Sequence, residues 1–458
     1  MIVEQIYTGC LAQGAYYIQS ENEAAIIDPL REVKPYIEKA AAAGAQIKYV
    51  FETHFHADFV SGHVELLKKT GAKIVYGPGA NPTYDILSTT DGQELLLGKS
   101  IIKVIHTPGH TLESACYLAV DESSKPVAVF TGDTLFVGDV GRVDLAAKSN
   151  FSSEQMAAML YESLEKLKKL SNDVILYPGH GAGSACGKNI SKETTSTIGQ
   201  QKLNNYAMQP MSKEAFVKIV SEGISAPPKY FFTDVMLNHT GYQDETKVGE
   251  NSKPVSIDML KKEMQAGTIL LDTRNPEDFA TGHIPGAVNI GLDGQYAIWT
   301  GNLFDNVPFL IVSDEGKEKE SVVRLARIGY DKIKGYLHGG IKAWKDAGLA
   351  LQTVDSIDAT DFVNKVGKEG KTLDVRNEDE LAKGVVKDAI TIPLARLENE
   401  LSLLDKNTTY YVHCQGGYRS MIAISLLQKN GFTKLINVSG GINAITKTGI
   451  KLEVPEMA

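Results

Sequence analysis

Short apolar runs rich in β-branched and aromatic residues alternate with helical patterns over residues 1 to about 245. Ala24 to Ile27 before Asp28-Pro29, Ile47 to Phe51, Lys73 to Tyr76, Ile101 to Ile105, Ala115 to Val120 and Val127 to Phe130 read as strands, each a compact apolar run bounded by polar or turn-forming residues. Lys34 to Ala43 is an alanine-rich helix stopped by Gly44. Ser153 to Leu170 puts Met156, Leu160, Leu164 and Leu167 on one stripe, with Ser153 as the expected N-cap, so those side chains belong to a core. Residues 205 to 245, through Pro227-Pro228, read as an irregular tail, and 247 to 254 as a polar linker.

Past the linker the pattern repeats at a spacing of about 100 residues. Leu271-Asp272-Thr273-Arg274-Asn275 returns as Leu373-Asp374-Val375-Arg376-Asn377, and His338-Gly339-Gly340-Ile341 returns as Ser439-Gly440-Gly441-Ile442. The expected organisation is a domain over 1–246 followed by two α/β copies over 254–352 and 353–458. A chain of 458 residues has room for about three such cores.

Hydrophobic content of 43% and charged content of 22% are ordinary for a globular protein, and a net charge of −9 argues against a nucleic-acid surface. The N-terminal run meets an acid at Glu4, unlike a signal peptide, and no apolar stretch approaches the ~20 residues a membrane span needs. Cys10, Cys116, Cys186 and Cys414 lie far apart in unlike contexts, which is not a disulfide framework; a reducing cytoplasm is the expected compartment.

The candidate chemistry sits where apolar runs end. Thr53-His54-Phe55-His56-Ala57-Asp58-Phe59 follows the Ile47 to Phe51 run, and two histidines spaced by one residue at a strand end point the same way. Pro108-Gly109-His110, Thr131-Gly132-Asp133 and Pro178-Gly179-His180 each place a ligand-type residue in a turn after an apolar run. Strand-end loops converging on one sheet edge imply a metal site.

These residues resemble the metallo-β-lactamase superfamily, which implies an αββα sandwich over the first half of the chain. Its usual signature, His-x-His-x-Asp-His, holds two metals; here Phe59 replaces the last histidine and ligates nothing. The resemblance to the persulfide dioxygenase branch implies one Fe(II) per chain on His54, His110 and Asp133, a set of two imidazoles and one carboxylate that leaves positions open for O₂ and substrate. His56, Asp58 and His180 then hydrogen-bond the metal's water or orient its ligands. Gly141-Arg142-Val143-Asp144 resembles the segment that positions substrate in that branch. Arg142 is accordingly a candidate substrate-binding residue, with a plain ion pair to Asp144 as the alternative. Cys186, six residues past His180, is a possible thiol at the mouth of the site.

The repeated copies resemble rhodanese domains. In the second, the strand Tyr410 to Val412 runs into His413-Cys414-Gln415-Gly416-Gly417-Tyr418-Arg419-Ser420, followed by a helix from Met421 to Lys429. A cysteine in a glycine-bearing loop at a helix N-terminus sees several backbone N–H groups, which favour a thiolate and cradle an anion. Cys414 to Arg419 spans six residues, the sulfurtransferase length, one shorter than the loop of cysteine phosphatases. Cys414 and Arg419 are therefore the expected catalytic pair, with Gln415, Gly416, Gly417 and Tyr418 binding substrate. In the first copy Asp314 stands where the nucleophile belongs, inside the acidic loop Ser313 to Ser321, so that copy is expected to be a structural or interface module.

Taken together, the chain resembles the CstB-type persulfide dioxygenase–sulfurtransferase fusions. That implies oxidation of a thiol persulfide by O₂ to sulfite, transfer of sulfane sulfur through Cys414 to give thiosulfate, and a homodimer or homotetramer serving sulfide detoxification. Glutathione-using relatives place an Asp-Tyr pair after the histidine matching His180, where this chain has Gly181-Ala182. Coenzyme A, bacillithiol and cysteine persulfides therefore stay open as substrates. Two rival readings are a glyoxalase-II-like thioester hydrolase and a non-enzymatic sulfur-carrier scaffold.

Overall fold

The computed structural model describes residues 1–145, 151–224, 226–242 and 252–454. Contacts divide the chain into two units, Met1–Glu245 with Ala326–Gly329, and Thr246–Leu325 with Tyr330–Ala458.

In the first unit two six-stranded sheets face each other. The first runs β1 (Ile2–Thr8), β2 (Gln13–Ser20), β3 (Glu23–Ile27), β4 (Gln46–Glu52), β5 (Lys73–Tyr76) and β6 (Leu87–Ser88) in that order. The second, read from β12 back to β7, comprises β7 (Glu94–Leu97), β8 (Ser100–His106), β9 (Ala115–Val120), β10 (Pro126–Gly132), β11 (Ile175–Pro178) and β12 (Ser196–Thr197). Alternate residues of both sheets meet in one core: Tyr16, Ile18, Ile27 and Phe51 from the first, Ile102, Val104, Tyr117 and Phe130 from the second.

Outside the first sheet lies α1 (Lys34–Ala42), whose Tyr36 and Ala40 pack on Tyr17, Ile26 and Val50. Outside the second lie α3 (Ser153–Leu167), following α2 (His63–Thr70), and later α5 (Lys213–Ser221), which follows α4 (Ile198–Asn204). Met156, Leu160, Leu164 and Leu167 are fully buried there, as their spacing requires. The result is the expected four-layer sandwich.

Three details differ from the sequence reading. The N-cap of α3 is Ser152, not Ser153, because Ser152 forms a reciprocal capping box with Gln155, and the helix ends at Leu167. The described residues of the expected tail over 205 to 245 are not irregular: they include α5 and α6 (Phe231–Thr240), and Ser212 caps α5 through the Ala215 N–H. Pro227-Pro228 lies just before α6. The linker over 247–254 lies mostly outside the described residues.

The second unit holds two five-stranded parallel sheets. They are ordered β13 (Pro254–Val255), β17 (Ile333–Leu337), β16 (Phe309–Val312), β14 (Ile269–Asp272), β15 (Val288–Asn289), and β18 (Asp355–Ile357), β22 (Leu435–Val438), β21 (Tyr410–His413), β19 (Lys371–Asp374), β20 (Ile390–Thr391). The repeat read from sequence is thus a repeat of topology. No helix among the described residues is long and apolar enough to cross a membrane.

Candidate metal centre and sulfur-transfer loop

Asp28, just past β3, organises the loop after β4. Its carboxylate accepts from the Thr53 N–H at 2.8 Å and from the Thr53 hydroxyl at 2.8 Å. Thr53 Oγ1 has given its proton to Asp28, so it must accept from His54 Nδ1, 3.0 Å away, and His54 Nε2 is left with a lone pair. His110, after β8, donates Nδ1–H to the Arg142 carbonyl at 2.8 Å and is likewise left with Nε2 free. Both Nε2 atoms face Asp133 Oδ2, at 3.9 Å from His54 and 3.6 Å from His110. That oxygen is buried and has no hydrogen-bond partner among the described residues. Asp133 follows Gly132, whose φ of 47° and close approach to Thr53 leave no room for a side chain; an added Cβ would lie 2.4 Å from Thr53 Oγ1.

Two lone pairs and an orphaned carboxylate oxygen, all within 4.8 Å of one another, are a donor set that fits a cation. Burial first, then the neighbouring histidines, keeps His54 from protonating, holding it well below the usual histidine range. Burial pushes Asp133 up, but His180, His54 and His110 outweigh it and hold the carboxyl well below the usual carboxylate range.

His56 turns away. Its Nε2 lies 3.0 Å from Asp28 Oδ1 and 3.5 Å from Glu52 Oε2, in a separate buried cluster beneath the loop. Phe59 is fully buried, its ring 4.3 Å from that of His56. Asp58 and His180 stand together on the other side: His180 Nδ1 donates to Asp133 Oδ1 at 2.8 Å while Nε2 lies 2.7 Å from Asp58 Oδ2. Burial opposes a charge on His180, yet the flanking carboxylates of Asp133 and Asp58 raise it well above the usual histidine range.

Cys186 completes this second group. It is buried, and its sulfur lies within 4.8 Å of the Asp58 and His180 ligand atoms. Burial, then the charges of Asp58 and Asp133, pushes its thiol well up. The sequence offers Cys186 as a possible thiol at the mouth of the site; the fold buries it beside Asp58 and His180.

Of the two readings of Arg142, the fold shows the ion pair to Asp144. Its guanidinium is bidentate on Asp144, 2.7 Å for both bonds, and donates to the Ala185 carbonyl at 3.1 Å. Its side chain is only 3% exposed, so the charge is already paired and does not present itself to a substrate. The Arg142 backbone instead links two parts of the site, accepting from His110 and donating its N–H to the Cys186 carbonyl at 2.9 Å. Asp28, Glu52 and Thr53 were missed as site residues; the signal available was Asp28 in a turn at the end of an apolar run, like the other ligand-type residues.

In the second unit, Cys414 follows β21 and is 1% exposed. Its sulfur accepts from the Gly417 N–H at 3.1 Å and lies 3.8 Å from Ser420 Oγ. The loop opens on a cavity of about 320 Å³ lined by Gly416, Gly417 and Ser439, and by Glu277 and Thr281 of the preceding copy. Gln415 is turned to Asn443. Arg419 does not reach over the sulfur: it is bidentate on Glu380, at 2.5 and 2.7 Å, which makes it a brace for the loop. Tyr418, expected to touch substrate, instead donates its hydroxyl to the Gly291 carbonyl of the preceding copy at 2.7 Å. In that copy Asp314 occupies the nucleophile's place. Burial, together with Asp278, Asp272 and Asp293, outweighs Arg274 and raises its carboxyl above the ordinary value.

Comparison with known proteins agrees with this layout. Residues 8–180 match the metallo-beta-lactamase superfamily, and residues 256–347 and 358–448 each match the rhodanese-like domain. A hydroxyacylglutathione hydrolase of Pelagibacter ubique is 34% identical over 37% of this chain and 68% of its own length. A hydroxyacylglutathione hydrolase of Polaromonas is 31% identical over 39% of this chain and 66% of its own. Among solved structures, a metallo-beta-lactamase from Staphylococcus aureus subsp. aureus COL is 31% identical, covering 73% of this chain and 98% of that one with a TM-score of 0.64.

Proposed function

Because this chain belongs to the metallo-beta-lactamase superfamily and carries two rhodanese-like domains, we propose that it is a cytoplasmic persulfide dioxygenase joined to a thiosulfate sulfurtransferase. In this reading residues 1–246 oxidise a low-molecular-weight thiol persulfide, RSSH + O₂ + H₂O giving RSH and sulfite. Residues 353–458 pass sulfane sulfur from a Cys414 persulfide to sulfite, releasing thiosulfate and the Cys414 thiolate. Residues 254–352 contain no cysteine to carry a persulfide.

One observation carries the first half: His54 Nε2, His110 Nε2 and the orphaned Asp133 Oδ2 lie within 4.8 Å of one another, and the residue after Asp58 is the buried, non-ligating Phe59. A single ferrous ion held by those three residues would supply open coordination positions for O₂ and the persulfide sulfur. The chain's own residues do the rest. Thr53 and the Arg142 carbonyl fix the two tautomers, and His180, seated between Asp58 and Asp133, holds Asp133 in place. In the transfer half, the Gly417 N–H stabilises negative charge on the Cys414 sulfur. Four free cysteines suit a reducing compartment. Gly181 packs on the Tyr7 hydroxyl, 2.4 Å from where a Cβ would sit, so no side chain reaches toward a glutathione from there; coenzyme A, bacillithiol and cysteine persulfides are the panel to test.

The names of the curated relatives favour a second reading, hydrolysis of a thioester. Phe59 opposes it, since a dinuclear site would miss a histidine. Anaerobic purification with metal quantification, then O₂ uptake across the persulfide panel and a thioester hydrolysis assay, separates the two. We expect one iron per chain and O₂ uptake with a persulfide; two tightly bound metals and thioester turnover without O₂ uptake would overturn the dioxygenase reading.

A further inference from the structure

The rhodanese copy without a nucleophile reaches into the loop of the copy that has one. Tyr418 belongs to the Cys414 loop and opens the helix Tyr418–Lys429. Its ring lies against Gly294, where an added Cβ would come within 2.4 Å of Cζ, and its hydroxyl donates to Gly291 at 2.7 Å. The Gly291 carbonyl also accepts from the Gly294 N–H, so the two glycines form one tight turn with the tyrosine seated on it. Arg324, 6% exposed, holds that turn from behind by donating to the Leu292 and Gly294 carbonyls at 2.5 and 2.9 Å. Two turns further along the same helix face, Ser425 Oγ accepts from the Asn289 N–H at 3.0 Å, so the helix is fastened to β15 as well.

The residue before Tyr418 is Gly417, whose φ of 115° aims its N–H at the Cys414 sulfur. A residue that fixes where Tyr418 sits therefore fixes the direction of the donor nearest the nucleophile.

We propose that the degenerate rhodanese copy is a positioning element of the Cys414 site, its Gly291–Gly294 turn clasping Tyr418 and so setting the Gly417 N–H against the sulfur. The inference rests on the sulfur-transfer reading. It assigns Tyr418, Gly291 and Gly294 as positioning residues that do not touch the transferred sulfur, and it gives the copy that lost its own nucleophile a task in the reaction.

The test uses the full-length protein with thiosulfate as sulfur donor and cyanide as acceptor. Tyr418→Phe keeps the ring and removes the hydroxyl; kcat should fall about fivefold, the size of one lost hydrogen bond, with KM for thiosulfate unchanged. Gly294→Ala should lower kcat further, because its methyl group displaces the ring. Adding Gly294→Ala to Tyr418→Ala should change nothing more, since no ring is left to meet the methyl. The pH profile of Cys414 alkylation by iodoacetamide, followed on the Cys414 peptide by mass spectrometry, should move to higher pH in Tyr418→Phe, a change that mere loss of stability does not produce. Wild-type kcat and an unmoved alkylation profile in Tyr418→Phe and Gly294→Ala would overturn the clasp, even if both lowered Tm. Failure of the underlying reading looks different: Cys414→Ser would then transfer sulfur at the wild-type rate.

Discussion

The two rhodanese copies share a strand order and differ most tellingly in the loop after β16 and β21. Both sheets have the same strand order, and each is closed by the same brace. Arg274 reaches Asp272 at 2.6 Å and the Gly282 carbonyl at 2.9 Å; Arg376 reaches Asp374 at 2.7 Å and the Gly384 carbonyl at 2.8 Å. These buried, bidentate pairs leave no charge uncompensated and so maintain the fold whether or not the copy is catalytic. The difference begins after β16 and β21. One loop carries Cys414 and turns through Gly416 and Gly417, with a backbone N–H on the sulfur; the other carries Asp314 among further acids, which burial and neighbouring charge push toward the neutral form. The brace is a property of the fold; what separates the two loops is a cysteine with the Gly417 N–H aimed at its sulfur.

The largest effect that tests this contrast is Cys414→Ser. Serine keeps the loop's shape, but its hydroxyl stays protonated near neutral pH, so thiosulfate formation should drop to the uncatalysed rate while iron content and O₂ uptake persist and sulfite accumulates. Product analysis against a no-enzyme control at matched sulfite reads the outcome. Thiosulfate at the wild-type rate would show that the two copies are not divided in this way, and Cys186 would be the first thiol to test.

The converse change should gain little. Asp314→Cys placed in the Cys414→Ser background restores the atom but not the glycine turn or an anion-friendly field, so transfer should stay near the uncatalysed rate. Recovery of a substantial fraction of wild-type turnover would mean that the missing nucleophile was the only difference between the copies.

A smaller effect concerns the Arg419 brace. Glu380→Gln removes one charge of a mostly buried bidentate pair and should cost about 1 kcal/mol of stability, a Tm fall of about 2–4 °C by calorimetry. An unchanged Tm would leave Arg419 free to serve the sulfur directly.

The smallest effect is the pH dependence of that same pair. Burial pushes the Glu380 carboxyl up, but the Arg419 guanidinium outweighs it and holds the carboxyl below its ordinary value of 4.5. Folding thus favours the ionised form, so the stabilisation is fully present at neutral pH and is lost as pH falls below about 4.5 through the folded-state value. The Tm gap between the wild type and Glu380→Gln should be widest near neutrality and shrink in acid; a gap that grows in acid would contradict the assignment.

Much of this protein was legible from residue order. Apolar runs ending in turns marked most of the strands that carry the site, the turn residues were of ligand type, and a repeat disclosed two copies of one topology, one of them with a cysteine in its loop. Those features are local: a strand needs its apolar run, a turn needs its glycine or proline, and a nucleophilic loop has a fixed length. What tertiary structure decided was the partner of each polar group. His56 faces Asp28 and Glu52 instead of Asp133, Cys186 enters the cluster of Asp58 and His180, Arg142 and Arg419 are held by Asp144 and Glu380, and the Tyr418 hydroxyl crosses to Gly291. A buried charge or hydroxyl takes whichever partner the packed chain brings near, from two positions away for Arg142 to 127 for Tyr418, and beyond such local pairs no sequence pattern carries that information.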